Sequence, residues 1–157
     1  SDESRGLGDV YKRQKLFFVD KYYKPELPLN LTKYLLKFAN SSIDVSDGLI
    51  DDLAKMINRQ SLSFHLFENK IPVSNKLSNF IKKQRLNKIN LISNGDDYQV
   101  LFTADIKKAR IIQKASKTTG IKITKIGKIV SGKDRSLIFD EKGKQIRAKS
   151  KGYIHQF

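Results

Sequence analysis

The sequence predicts an α+β fold in which helices pack on a layered, mixed sheet. Apolar residues recur at helical spacing in several segments, and other segments alternate apolar and polar residues as half-buried strands do. Helices and strands alternate along the chain until short, hairpin-like strands follow one another near its end. With 157 residues, 39% of them hydrophobic, the chain is long enough to form one domain with its own core.

The beginning of the chain differs from the remainder. Residues 1–14 are polar, contain glycine and show no helical or strand period, so we expect a disordered or non-native leader there. Residues 15–29 carry Pro25 and Pro28, which predict an extended lead-in. One domain is therefore predicted over residues 15–157.

The first half of this domain predicts two helices and two strands. A helix over about residues 30–40 has one apolar face, and a short strand ending at Val45 follows it. A second helix is predicted over about residues 49–59, from apolar residues at helical spacing. The alternation over residues 61–66 predicts a half-buried strand.

The second half continues the pattern. Pro72 and Ser74 introduce a helix, and residues 98–103 predict a strand. Residues 105–119 predict a helix that stops at Gly120. Two further strands, a turn and a last short strand complete the chain, with the strands predicted at residues 122–130 and 136–139 and the turn at 141–144.

Composition excludes several classes of protein. The chain has no cysteine, so it has neither disulfides nor thiolate metal sites. No apolar run approaches the roughly 20 residues that span a bilayer, and no signal-peptide pattern opens the chain. We therefore expect a cytoplasmic protein without a membrane partner.

The net charge of +15 raises the question of a nucleic-acid partner. The tightest basic clusters, around Lys82 and Lys107, lie on predicted helices that also carry an apolar stripe. Such clusters are typical of the solvated face of a helix. The chain is also rich in lysine, isoleucine and asparagine, as products of AT-rich genomes are, so no nucleic-acid partner is expected.

The most informative segment is Ser42–Leu53, which holds four carboxylates. Asp44, Ser46 and Asp47 fall where the predicted strand ends and the helix begins, and a helix start leaves backbone N–H groups unpaired. Oxygen ligands there suit a hard cation such as Mg²⁺, and the N–H groups suit phosphate. The structural alternative is that Ser46 or Asp47 caps the helix, which leaves Asp44 unexplained.

A second segment, Ser93–Tyr98, also carries paired carboxylates. Asn94 and Gly95 tolerate positive φ, so they predict a tight turn that presents Asp96 and Asp97 just before a strand. The alternative is a solvent-exposed turn with no function.

Five motifs, taken in chain order, resemble the C-terminal half of thiamine-monophosphate kinase. The signatures of that family are similar to Ile-Asp-Ile-Ser-Asp-Gly-Leu and Gly-Gly-Glu-Asp-Tyr-Glu-Leu. The corresponding motifs of this chain are Ile43–Leu49, Ile71–Pro72, Gly95–Thr103, Ile126–Gly127 and Lys151–Tyr153. The resemblance covers nearly everything after the leader.

The resemblance implies the fold of the C-terminal domain of the aminoimidazole ribonucleotide synthetase-like superfamily. It implies the ATP- and Mg²⁺-dependent phosphorylation of thiamine monophosphate to thiamine diphosphate. Asp44 and Asp47 would be Mg²⁺ ligands, with Asp47 in the catalytic centre, and Ser46 would contact ATP. Asp96 and Tyr153 would contact the substrate.

The chemistry of these residue types is consistent with the implied roles. Phosphoryl transfer depends on positioning and on cations that neutralise charge. An aromatic ring such as that of Tyr153 attracts the cationic thiazolium of thiamine, and the Asp96 carboxylate accepts hydrogen bonds from an aminopyrimidine. Two positions depart from the family: Asn94 replaces the first glycine of the turn, and Asp96 is one methylene shorter than glutamate.

The resemblance also sets limits on what this chain does alone. The N-terminal half of the family supplies further metal-binding aspartates, much of the ATP site and the dimer interface. We therefore expect an incomplete enzyme, and a homodimer when full-length. Two alternatives are another synthetase of the same superfamily, such as a selenophosphate synthetase, and a basic nucleic-acid-binding module whose affinity falls steeply with salt.

Overall fold

A computed structural model describes residues 29–57, 60–92 and 99–147 of the chain. The predicted leader and nearly all of the lead-in lie outside these residues. The described elements are, in order, α1 (Leu29–Phe38), β1 (Ala39–Asp44), α2 (Leu49–Ile57), β2 (Leu62–Phe67), α3 (Asn75–Gln84), α4 (Lys88–Ile92), β3 (Val100–Ala104), α5 (Ala109–Thr119), β4 (Gly127–Ser131), β5 (Leu137–Phe139) and β6 (Gln145–Ile146).

The first layer is a two-stranded antiparallel sheet of β1 and β3, covered by α1 and α5. The apolar faces of both helices meet here, with Leu31, Phe38 and Ala115 buried. The rings of Phe38 and Phe102 lie 5.2 Å apart, which joins α1 to β3. This packing fixes β1 and therefore the point at which the chain leaves it.

The second sheet has the strand order β4-β2-β5-β6. The central strand, β2, is antiparallel to β4 and parallel to β5, and β5 pairs with β6 as an antiparallel hairpin. Gly127 begins β4 where a side chain is sterically excluded, because a Cβ atom there would collide with the carbonyl oxygen of His65. This close approach gives a structural reason for the glycine of one of the five motifs.

The main core lies between α2, α4 and the second sheet. Leu66 and Ile89 are almost completely buried in it. The remaining buried members are Val45, Leu49, Leu53, Ile57, Phe64, Ile71, Ile92 and Ile138. Because Val45 and Leu49 both belong to this core, the segment that joins β1 to α2 is anchored at each of its ends.

Most predicted elements are confirmed, and two helix ends match in detail. Ser74 caps α3 by accepting a hydrogen bond from the backbone N–H of Leu77 (3.1 Å). Gly120 follows α5 in the left-handed region, at φ 70°. The predicted 105–119 helix begins with a 3₁₀ turn, Ile106–Lys108, before α5.

Two details of the prediction are wrong. The strand predicted over residues 122–130 begins only at Gly127. Residues 121–126 are not paired as a strand, although Ile121 and Ile123 alternate and pack against the first layer and Ile126 packs against the main core. The hairpin-like pairing predicted near the end of the chain holds for β5 and β6 but not for β4 and β5, because β2 lies between them. Among the described helices, none is long and apolar enough to cross a membrane.

Candidate functional site

The first acidic motif begins at the end of β1. Asp44 is the last residue of the strand and pairs with Val100 at the start of β3. Its side chain is exposed, whereas Val45 turns into the core and donates its N–H to the carbonyl oxygen of Gln99 (2.8 Å). The alternation of the strand therefore directs the Asp44 carboxylate to solvent.

The segment between β1 and α2 is held by Asp52, in the first turns of α2. One Asp52 oxygen accepts hydrogen bonds from the backbone N–H groups of Ser46 (2.8 Å) and Asp47 (2.9 Å). Gly48 bends the chain into the helix at φ 121°. In the capping alternative, a side chain of Ser46 or Asp47 would accept from N–H groups of the helix. The structure shows the reverse arrangement, in which a carboxylate of the helix, that of Asp52, accepts from the backbone N–H groups of Ser46 and Asp47.

Asp52 is buried, with 1% of its surface exposed. Burial alone works to raise its pKa, but the hydrogen bonds from the Lys55 ammonium and from the N–H groups of Ser46 and Asp47 outweigh it. The net result is a pKa below the ordinary value of an aspartate. Asp52 is thus a charged, fully partnered anchor for this segment.

Lys55 connects the anchor to the surface. Its Nζ donates to Asp52 Oδ1 at 2.9 Å and also forms an ion pair with Asp47. The side chain of Lys55 is 49% exposed and that of Asp47 is 27% exposed. Hydrogen bonds to Asp47 and Asp52 raise the pKa of Lys55, so the ammonium is fully charged at neutral pH.

Sequence reasoning assigned neither Asp52 nor Lys55 to the site, although both leave a signal. Asp52 lies three residues after Leu49 and four before Met56, so it falls on the apolar stripe of the predicted helix. A carboxylate at such a position requires donors nearby. Lys55 follows three residues later, at the spacing of a helical ion pair.

The predicted site residues divide into two groups. Asp44 ends β1, and Ser46 and Asp47 follow it in the connection to α2. Asp96 and Tyr153, together with the turn at residues 93–98, lie outside the described residues. The end of β1 lies beside the beginning of β3, because Asp44 pairs with Val100. Val100 comes two residues after the second acidic segment, Ser93–Tyr98, in the sequence.

The oxygen donors on this connection suit Mg²⁺ in kind. Within residues 29–57, 60–92 and 99–147, no three histidine, cysteine or acidic side chains assemble into a metal site. Mg²⁺ is commonly held by one or two carboxylates together with phosphate oxygens and water, so Asp44 and Asp47 match that pattern without further protein ligands. Asp52 is committed to the backbone and to Lys55.

A cleft of about 640 Å³ lies elsewhere, beside Lys88 and the turn between β5 and β6. Two of its carboxylates accept hydrogen bonds from the backbone that surrounds them. Glu68 accepts from the N–H of Ile89 (3.1 Å), and Asp140 accepts from the N–H groups of Lys142 and Lys144 (2.9 and 2.8 Å). The cleft is therefore a weaker candidate than the β1–α2 connection.

Comparisons with known proteins agree with the resemblance seen in the sequence. No family model matches the chain. A curated thiamine-monophosphate kinase from Buchnera aphidicola subsp. Schizaphis graminum is 32% identical over 140 residues, which is 88% of this chain and 42% of that protein. The similarity to thiamine-monophosphate kinases predicted from the motifs is therefore confirmed.

Solved structures agree as well. The structure of AaThiL complexed with AMPPCP and TMP matches with a TM-score of 0.68 and 27% identity, over 91% of this chain and 42% of that one. The HypE–HypF complex matches with a TM-score of 0.60 at 12% identity, over 78% of this chain and 40% of that one, a likeness of fold alone. The predicted α+β fold of the aminoimidazole ribonucleotide synthetase-like type is confirmed. The chain spans less than half the length of these relatives.

Proposed function

We propose, from its kinship with the thiamine-monophosphate kinases, that this chain serves the ATP- and Mg²⁺-dependent phosphorylation of thiamine monophosphate to thiamine diphosphate. The observation that carries the proposal is the match over 91% of the chain to AaThiL, whose structure holds AMPPCP, an analogue of ATP, together with TMP. Its motifs occur in the family's order along the chain. Both ligands are properties of that relative, and their transfer to this chain is the proposal.

Three residues of the β1–α2 connection form the proposed nucleotide end of the site. Asp44 and Asp47 hold Mg²⁺, and Ser46 contacts ATP. The ion supplies positive charge that neutralises phosphate oxygens during transfer. The exposed Asp44 side chain and the partly exposed Asp47 side chain support this assignment, because both are accessible to solvent and lie three residues apart between the end of β1 and the start of α2.

The substrate end of the proposed site belongs to Asp96 and Tyr153. The carboxylate accepts hydrogen bonds from the aminopyrimidine, and the aromatic ring lies against the cationic thiazolium. The strand register supports Asp96, because Asp44 pairs with Val100, which follows Asp96 by four residues in the sequence. Neither side chain is among those the structure describes.

The chain performs this reaction only as part of a larger assembly. It spans 42% of the Buchnera relative, so we attribute the remaining ATP ligands to a segment that corresponds to the rest of that protein. We propose a homodimer of the complete enzyme and, from the cysteine-free sequence, a cytoplasmic location.

The test joins this chain to the N-terminal half of a thiamine-monophosphate kinase and measures thiamine diphosphate formation by chromatography. We expect Mg²⁺-dependent activity. We also expect Asp47→Asn to lower kcat on the order of a hundredfold or more, because an amide holds the Mg²⁺ ion that stabilises the transferring phosphoryl group less firmly than a carboxylate does. Asp134→Asn is the matched control, since Asp134 is an exposed carboxylate on the β4–β5 loop. Normal turnover in the Asp47 variant contradicts the role assigned to it.

A further inference from the structure

We infer that Lys55 is a displaceable internal cation that competes with a divalent metal ion for the Asp47 carboxylate. The inference rests on the proposed function, because it takes Asp47 as a metal ligand. It adds a residue that neither the motifs nor the comparisons assign to the site.

The ammonium group of Lys55 is bound by two carboxylates. Lys55 Nζ is bound to both Asp47 and Asp52, so it stands where a cation shared by these two carboxylates belongs. Asp52 is fixed from behind by the N–H groups of Ser46 and Asp47. The ammonium is therefore held at the Asp47 carboxylate by an anchor that is itself bound to the backbone.

The exposure of the Lys55 side chain allows its ammonium group to leave the two carboxylates. The Lys55 side chain is 49% exposed, whereas that of Asp52 is 1% exposed. Rotation of the flexible lysine stem carries the charge into water, where it is well solvated. The Oδ2 atom of Asp52 then still accepts from two backbone N–H groups, so the carboxylate keeps two donors and only its Oδ1 atom loses the ammonium.

The Lys55 ammonium weakens the binding of a divalent ion at Asp47. A divalent ion at Asp47 and an ammonium bound to the same carboxylate repel each other across a few ångströms, so Asp47 receives the ion fully only when Lys55 moves aside. Removing the lysine charge should tighten divalent binding about tenfold at low ionic strength, and less in high salt.

The experiment uses Mn²⁺ as the probe on the 157-residue chain. Paramagnetic broadening of the backbone amide signals of residues 44–48 gives the dissociation constant even when binding is weak. We expect Lys55→Gln to lower that constant about tenfold. Lys114→Gln removes the same charge from an exposed position on α5 and should leave it unchanged, and Lys55→Arg should stay near wild type.

The outcomes separate this inference from the proposed function. If Asp47→Asn abolishes the broadening but Lys55→Gln and Lys114→Gln have equal Mn²⁺ dissociation constants, the inference is overturned and the metal role of Asp47 stands. If residues 44–48 show no broadening in either the wild type or Lys55→Gln, both the inference and the metal role assigned to Asp47 are overturned.

A measurement on the unmodified protein covers the case in which Lys55→Gln misfolds. During a Mg²⁺ titration, the side-chain methylene signals of Lys55 should shift together with the amide of Asp47, while those of Lys114 stay constant. Lys55 signals that remain still while the Asp47 amide shifts overturn the inference.

Discussion

The protein fixes two connections, the one from β1 to α2 and the one from β2 to α3, with charged side chains of opposite sign. Before α2, the Asp52 carboxylate accepts from backbone N–H groups. Between β2 and α3, the Lys88 ammonium donates to the carbonyl oxygens of Glu68 (2.9 Å) and Ile71 (2.7 Å). Asp52 supplies an acceptor to two backbone N–H groups, and Lys88 adds a donor to the Glu68 carbonyl, which also accepts from the N–H of Ile71 (3.2 Å).

The two anchors differ in what lies in front of them. Asp52 is linked through the half-exposed Lys55 to a second carboxylate, that of Asp47. Lys88 donates to carbonyl oxygens, and burial lowers its pKa although the charge of Glu68 partly opposes this. Both charged side chains hold the backbone in place, but only the Asp52 anchor is linked to a further carboxylate, that of Asp47, which is partly exposed to solvent.

The largest expected effect is at Asp52. Asp52→Ala should lower the free energy of unfolding by about 3 kcal/mol, because the N–H groups of Ser46 and Asp47 and the Lys55 ammonium lose their acceptor. Urea denaturation followed by circular dichroism measures it. The control is Asp51→Ala on the same helix, for which we expect less than about 0.5 kcal/mol. Equal losses for both variants contradict the anchoring role.

A smaller effect is expected at Lys88. Lys88→Met removes the donor to two carbonyl oxygens but also relieves the burial of a charge, so the net loss should be about 1 kcal/mol. Lys142→Met, at an exposed position of the β5–β6 turn, is the control with the same change of charge. A loss for Lys88→Met larger than that for Asp52→Ala reverses the ranking of the two anchors.

The smallest effects appear in the pH dependence of stability. The lowered pKa of Asp52 means that its contribution is complete above the unfolded value of 3.8 and is lost as pH falls through the lower folded value. The lowered pKa of Lys88 makes stability rise with pH between its folded value and 10.5, because the unfolded chain there binds more protons.

Chemical denaturation of wild type, Asp52→Asn and Lys88→Met across pH tests these signs. The difference between wild type and Asp52→Asn should shrink below pH 3.8, and the difference between wild type and Lys88→Met should change only on the alkaline side. A wild-type advantage over Asp52→Asn that persists through acid unfolding contradicts the assigned pKa.

Sequence reasoning succeeded where the signal is local. The cap at Ser74, the start of α2 at Leu49 and the stop at Gly120 follow from side-chain chemistry within one turn of the chain. It failed at residues 122–126, because alternation reports which side chains are buried and does not report whether the backbone pairs. The placement of β2 between β4 and β5 is a long-range choice with no local signal.

The candidate site shows the same division. Asp44, Ser46 and Asp47 were predicted from a contiguous motif, and their roles stay predictions; they lie at and just after the end of β1. Asp52 and Lys55 were missed because their importance depends on which donors the folded chain brings to a buried carboxylate. Asp96 and Tyr153 stay predictions, since they lie beyond the described residues.

The grip of Asp52 on two consecutive amides has a thermodynamic consequence. Ordering a turn of this kind is entropically unfavourable, and here that cost is met when the chain folds. A ligand that arrives later meets a template already in shape, so its affinity reflects charge and contact more than induced order. Variants that weaken the grip should bind with a more unfavourable entropy even when every contacting side chain is retained.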